Sequence, residues 1–203
     1  MEQFNLFPGN EAGPVLPKDI LDYKPGLFNA QQSHDIMQKL LTETPWKQES
    51  QQMYGRMVKT PRLTAWYGDA SSYYQFSGSK FTPYPWTSEL LTIKSRIEPE
   101  AGMKFNSVLL NYYRDGNDSV AWHSDDEPEL GANPVIASVN FGQERRFDIR
   151  NKKDHTLKYS VLLQNGSLLI MKGDLQHQWE HQIAKSLKIT KPRINLTFRL
   201  IKT

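Results

Sequence analysis

Two histidines and one aspartate hold the strongest chemical information in this chain. His123-Ser124-Asp125 sets an imidazole and a carboxylate two residues apart, and His181 supplies a second imidazole far downstream. Two imidazoles and one carboxylate, with coordination positions left open, suit non-haem Fe(II) in the facial-triad arrangement of oxygenases. A His-x-Asp pair alone is a weak signal. Twelve residues after His181 begins Arg193-Ile194-Asn195-Leu196-Thr197-Phe198-Arg199, whose alternation predicts a β-strand with Arg193, Asn195, Thr197 and Arg199 on one face. A guanidinium grips a carboxylate through two parallel charge-assisted hydrogen bonds, so arginines beside an iron site fit a dicarboxylate co-substrate. Taken alone, the same strand could equally be a solvated face.

A second metal motif competes for His181. His177-Gln178-Trp179-Glu180-His181 matches the H-x-x-E-H string of some zinc peptidases, which needs a helix to bring both imidazoles to one ion. The preceding Gly166 to Asp174 reads as a strand and a turn, so the segment is expected to continue as extended chain. Residues four apart on a strand are separated by about 13 Å and cannot share a metal. His34, on an expected helix, and His155, in a Lys- and Asp-rich turn, read as solvated side chains.

From about Gln52 to the C-terminus the chain resembles the AlkB-like 2-oxoglutarate and Fe(II)-dependent dioxygenases that demethylate nucleobases, and within them the eukaryotic-type DNA-repair branch. The resemblance rests on Asn111-Tyr112-Tyr113-Arg114-Asp115-Gly116, His123-Ser124-Asp125-Asp126-Glu127, Ala137-Ser138-Val139-Asn140-Phe141-Gly142 and Pro192 to Arg199. It implies that His123, Asp125 and His181 bind Fe(II), and that Asn111, Tyr113, Arg193, Asn195, Thr197 and Arg199 form the 2-oxoglutarate pocket. In that reading Arg193 pairs with the far carboxylate, and Arg199 shapes the substrate side or supports the acid pocket. Tyr74, Phe76 and Ser77 match a base-contacting Tyr-x-Phe-Ser-Gly segment, and Phe76 with His123 would sandwich a flipped base. Asp126 and Glu127 would border that base, whose ring methylation makes it cationic and attractive to a carboxylate. Tyr54, in Met53-Tyr54-Gly55, matches a hairpin tip that probes the duplex, and Arg62 a contact to a phosphate or the complementary strand.

The elements that must position these residues follow from periodicity. Ile36, Met37, Leu40 and Leu41 predict a helix between Asn29 and Thr44, and Trp86, Leu90, Ile93 and Ile97 a second from about Pro85 to Glu98. From Phe105 onward, eight short strands are expected at about 105–113, 119–123, 134–141, 144–150, 156–163, 167–172, 176–183 and 193–201. Punctuated by Asp-Gly, Phe-Gly and Asn-Gly turns, they suit a jelly roll. The resemblance implies the same double-stranded β-helix. The fold class is therefore mainly β with flanking helices, a jelly roll carrying an N-terminal helical and nucleotide-recognition lid extension. Aromatics crowd residues 53–84, and the resemblance makes about 45–85 the lid, while packing within a small sheet accounts for about half of them. Proline and glycine through residues 1–28 suggest an extended arm, or a tail over the first fourteen.

With 203 residues the chain is long enough for one substantial core, and a single catalytic domain over 1–203 is expected, its jelly roll at about 105–203. It contains no cysteine, which excludes thiolate metal sites and disulfides and is compatible with a reducing compartment. No apolar run approaches a membrane span and the N-terminus lacks a signal-peptide pattern, so an intracellular monomer, in cytoplasm or nucleus, is expected. A net charge of +3 does not separate a nucleic-acid binder from an ordinary basic enzyme.

The resemblance implies O2-dependent oxidative demethylation of 1-methyladenine and 3-methylcytosine in single- or double-stranded DNA, with succinate, CO2 and formaldehyde released. RNA or protein stands as the alternative substrate within that class. A non-catalytic jelly-roll binding module and the zinc hydrolase are the alternatives outside it.

Overall fold

Two β-sheets face each other, and the chemically interesting residues lie between them. The computed structural model describes residues 16–202 apart from Tyr54, Tyr73, Ser77 and Gly78, and only the backbone at 51–53, 74–76 and 79–81. The elements run in the order β1 (Leu21–Lys24), α1 (Ala30–Glu43), β2 (Ser50–Met53), β3 (Arg56–Lys59), β4 (Leu63–Gly68), β5 (Tyr74–Phe76), β6 (Ser79–Phe81) and α2 (Ser88–Ala101). They continue through β7 (Ser107–Tyr113), β8 (Val120–His123), β9 (Ile136–Gly142), β10 (Arg145–Asn151), β11 (Lys158–Leu163), β12 (Ser167–Met171), α3 (Leu175–Gln178), β13 (Trp179–Ile183) and β14 (Arg193–Arg199). The larger sheet has the order β1-β12-β9-β14-β7-β4, the smaller β11-β10-β13-β8. All eight strands expected from Phe105 onward form.

β14 shows why the sequence folds this way. It sits between β9 and β7, antiparallel to both, and is buried on its two faces. Ile194, Leu196 and Phe198 pack outward into an apolar layer with Ile36 and Leu40 of α1 and Leu90, Ile93 and Ile97 of α2. The alternate residues, Arg193 to Arg199, point into the space between the sheets, where Phe147, Ile149, Val161, Leu163, Leu169 and Met171 form a second apolar cluster. Period-2 alternation thus separates scaffold from site along one strand.

Both helices begin at side-chain caps. Asn29 and Gln32 form a reciprocal capping box on α1, and Thr87 Oγ1 accepts from Leu90 N on α2 at 3.2 Å. α2 runs beyond the expected stop at Glu98, through Pro99, and ends where Gly102 takes a left-handed conformation, φ +67°.

The structure departs from the sequence reading in three further places. β4, inside the segment read as lid, pairs along β7 and buries Ala65 and Tyr67, covering an edge that β7 would otherwise expose. Residues 21–24, read as part of an arm, are an edge strand on β12. Residues 175–178, expected to be extended, form one helical turn, with His177 N and Gln178 N donating to Asp174 O after Gly173 turns the chain at φ +59°. Two hairpins, β2-β3 and β5-β6, stand outside the large sheets. No helix among the described residues is long and apolar enough to cross a membrane.

Candidate metal centre

Antiparallel pairing of β8 with β13 puts His123 directly opposite His181, with ring centroids 4.3 Å apart. Asp125 lies just past the end of β8, where its backbone N–H donates to the buried amide oxygen of Gln176 at 2.9 Å. Ser124 Oγ donates to Trp179 O at 2.8 Å. The short turn α3 and the start of β13 therefore hold the chain as it leaves β8. One ligand atom from each of His123, Asp125 and His181 falls within 4.8 Å of the others.

The protonation states suit a divalent ion. His123 Nδ1 donates to Ala121 O at 2.8 Å, which fixes the tautomer and leaves Nε2 with a lone pair. Burial, reinforced by His123, pushes His181 down to about 3, so it is neutral and a potential ligand. Its Nδ1 is buried with no hydrogen-bond partner. Burial pushes the Asp125 carboxyl up, but the Arg199 guanidinium and the two imidazoles overcome this and hold it at about 2. Arg199 Nη2 meets Asp125 Oδ1 at 2.6 Å. Two imidazole nitrogens and one ionised carboxylate fit Fe(II).

His123, Asp125 and His181 line a cavity of about 180 Å³ together with Asn111, Tyr113, Arg193, Asn195, Thr197 and Arg199. Arg193 is 1% exposed; its Nη2 donates to Asn140 Oδ1 at 2.6 Å, and its guanidinium lies 4.9 Å from the Tyr113 ring centroid. Burial pushes its pKa down to about 10, which still leaves it charged at neutral pH. Its Nε and Nη1 have no hydrogen-bond partner. A buried cation with two unused donors in a cavity wall is a ready seat for a carboxylate. Asn195 Nδ2 donates to Ser138 Oγ, Val139 O and Asn140 Oδ1, and Thr197 Oγ1 to Asn195 Oδ1.

Of the other expected site residues, Arg62 and Glu127 line the same cavity and Asp126 does not. Arg62, read as a contact to phosphate or the complementary strand, reaches inward, its Nε donating to Asn111 Oδ1 at 2.8 Å. Glu127 is exposed at a rim shared with a second, larger cavity of about 680 Å³, lined by Trp66, Tyr84, Lys47 and Glu49 among others. Asp126 points away, 3.6 Å from Lys152. Tyr54 and Ser77 lie outside the described residues, and the side chains of Tyr74 and Phe76 likewise. His177 is exposed and accepts from Asn133 N at 3.2 Å, apart from the metal-ligand cluster. Residues not foreseen are Gln176, which acts through a backbone N–H and leaves no pattern, and Ser138 and Asn140. The last two share a face of β9 and were legible in its alternation.

A family model described as the 2OG-Fe(II) oxygenase superfamily matches residues 21–199. The chain is 42% identical over 186 residues to mouse alpha-ketoglutarate-dependent dioxygenase alkB homolog 3, covering 87% of this chain and 64% of that protein. It is 37% identical over 185 residues to human DNA oxidative demethylase ALKBH2, covering 86% of this chain and 71% of that protein. The solved structure of OsALKBH1 superposes with a TM-score of 0.65 at 16% identity, covering 91% of this chain and 98% of that one, a likeness of fold. The chain spans under two thirds of the length of the alkB homolog 3 relatives.

Proposed function

This chain belongs to the 2OG-Fe(II) oxygenase superfamily, and from that premise we propose that it removes N-methyl groups oxidatively from 1-methyladenine and 3-methylcytosine in DNA. The observation that carries the reading is one cavity with three metal donors and, in the same wall, a buried arginine with two unused nitrogens. The relatives named as a DNA oxidative demethylase support the substrate class.

When bound, Fe(II) and 2-oxoglutarate supply the O2-dependent oxidation, which converts the co-substrate to succinate and CO2 and the N-methyl carbon to formaldehyde. The residues of the chain orient and insulate that chemistry. His123, Asp125 and His181 hold the metal, and Arg199 fixes the Asp125 oxygen. Arg193, set by Asn140 and the Tyr113 ring, holds the far carboxylate of the co-substrate. Asn111, Asn195 and Thr197 line the space between. The apolar cavity walls, including Phe147 and Ile183, keep water from the reacting atoms. The larger cavity that shares Leu109, Glu127 and Arg199 with the first receives the extruded base, with Glu127 at its edge favouring a cationic ring.

The test is mass spectrometry of 1-methyladenine and 3-methylcytosine oligonucleotides, as DNA and as RNA, incubated with Fe(II), 2-oxoglutarate and ascorbate. Demethylation of the DNA strands is expected. Methyl loss confined to RNA would move the protein to the alternative substrate.

A further inference from the structure

Arg145 is a second buried guanidinium that the assignments above leave unused. It is 2% exposed, on β10 in the smaller sheet, and lies outside the walls of both cavities. Its Nη1 donates to Asp115 O at 3.2 Å, and its Nη2 to Asp118 O at 3.0 Å and Ala184 O at 2.8 Å. Asp118 and Asp115 attract it from beyond ion-pair distance, and the Asp118 carboxylate is taken up by Arg114 at 2.7 and 2.8 Å. Among the described residues its direct partners are backbone carbonyls, so its charge is only partly offset by those two acids. Burial lowers its pKa, as it does that of Arg193.

Arg145 and Arg193 approach the same ring. Their guanidinium carbons lie 5.6 and 4.9 Å from the Tyr113 centroid. The pocket end thus holds two buried positive charges, while the polar groups around Arg193 are an amide and a phenol. The carbonyls that Arg145 binds belong to the turn after β7 and to the residue after β13. These two loops pack backbone to backbone: a Cβ on Gly116 would lie 1.8 Å from Ser186 O.

We propose that Arg145 is a positioning residue that gives the pocket its preference for a dicarboxylate: its charge, carried next to Tyr113, strengthens the hold on the distal carboxylate seated at Arg193. This rests on the co-substrate reading above. Arg145 touches neither the metal ligands nor the cavity, so its effect is on the second carboxylate and not on the keto-acid end.

Calorimetry of Mn(II)-loaded protein without oxygen separates these effects, using 2-oxoglutarate and the monocarboxylate 2-oxopentanoate as probes. Arg145→Gln keeps amide donors for the carbonyls and removes the charge; Arg145→Lys keeps the charge. The Gln variant is expected to lose about tenfold of the dicarboxylate preference, with 2-oxopentanoate affinity unchanged within about twofold, and the Lys variant to retain the preference. An unchanged preference in the Gln variant, a parallel weakening of both keto acids, or equal loss in Gln and Lys overturns the proposal. If the Gln variant does not fold by circular dichroism, the Lys variant decides, and a tenfold loss there overturns it. A wild-type protein with no dicarboxylate preference would overturn the co-substrate reading itself, whereas a preference insensitive to Arg145 overturns this inference alone.

Discussion

Asp125 serves two requirements that oppose each other, being buried to exclude water and ionised to bind a cation. Arg199 reconciles them at 2.6 Å, so its removal strands a carboxylate in a low-dielectric site. Arg199→Gln is therefore expected to weaken Mn(II) or Fe(II) binding by about 10- to 100-fold, the range for partners that orient a metal ligand, as read by equilibrium dialysis. Unaltered affinity would show that the ion pair does not tune the site. Arg193→Leu has a different signature, raising the 2-oxoglutarate requirement by an amount equivalent to about 1.5 to 3 kcal/mol while leaving the nucleic-acid requirement in place. Steady-state titration of each substrate in turn separates the two. His177→Ala is expected to keep the metal and His123→Ala to lose it, because His181 stands across from His123 and not beside His177. Retention by the second variant and loss by the first would reverse the assignment. Residue type and spacing single out His123, Asp125, His181 and the β14 arginines, while the roles given to them come from the family resemblance. Gln176 and Arg145 were not, since both act through main-chain groups that any sequence possesses.

At the scale of elements, the period of two along β7, β9 and β14 was enough to predict strands, but no periodicity states which strands pair. The crossover that brings β8 beside β13 is what unites His123 with His181, and the sequence carries it only through family resemblance. β4 falls inside the segment that the resemblance makes the lid; its place as an edge strand depends on β7, about forty residues away. α3 escaped notice because four residues are too few to show helical spacing. The second helix offers an independent test. Glu98 is 5% exposed and accepts from Phe105 N at 3.0 Å and Lys104 Nζ at 2.8 Å, with Lys94 at 2.9 Å. Burial pushes its carboxyl up, but these donors overcome it and hold the group at about 2. A depressed carboxylate stabilises the fold fully above its unfolded pKa of about 4.5 and progressively less as pH falls toward 2. Discounted for the solvent-screened Lys104, Glu98→Gln should cost about 2 kcal/mol at pH 7 and much less near pH 2.5. Urea denaturation at the two values checks this, and a pH-independent difference would contradict it.

Across the whole molecule, the smaller sheet brings two metal ligands, the larger sheet brings the arginines, and the cavity exists only where the two sheets face each other. The helices α1 and α2 contribute no side chain to that cavity and serve to cover the outer face of the larger sheet. This division explains why a polar, charged centre can sit inside a small domain without dissolving its core: the apolar side chains of β14 are buried on one face and the functional ones on the other. The centre is expected to couple 2-oxoglutarate consumption to methyl loss, and the stoichiometry of the two reads that coupling. With a 3-methylcytosine DNA oligonucleotide, Fe(II) and 2-oxoglutarate under air, one succinate and one formaldehyde are expected for each methyl removed, and none of the three when 2-oxoglutarate is omitted. Methyl loss that proceeds without 2-oxoglutarate, or succinate formed with no methyl removed, would contradict it.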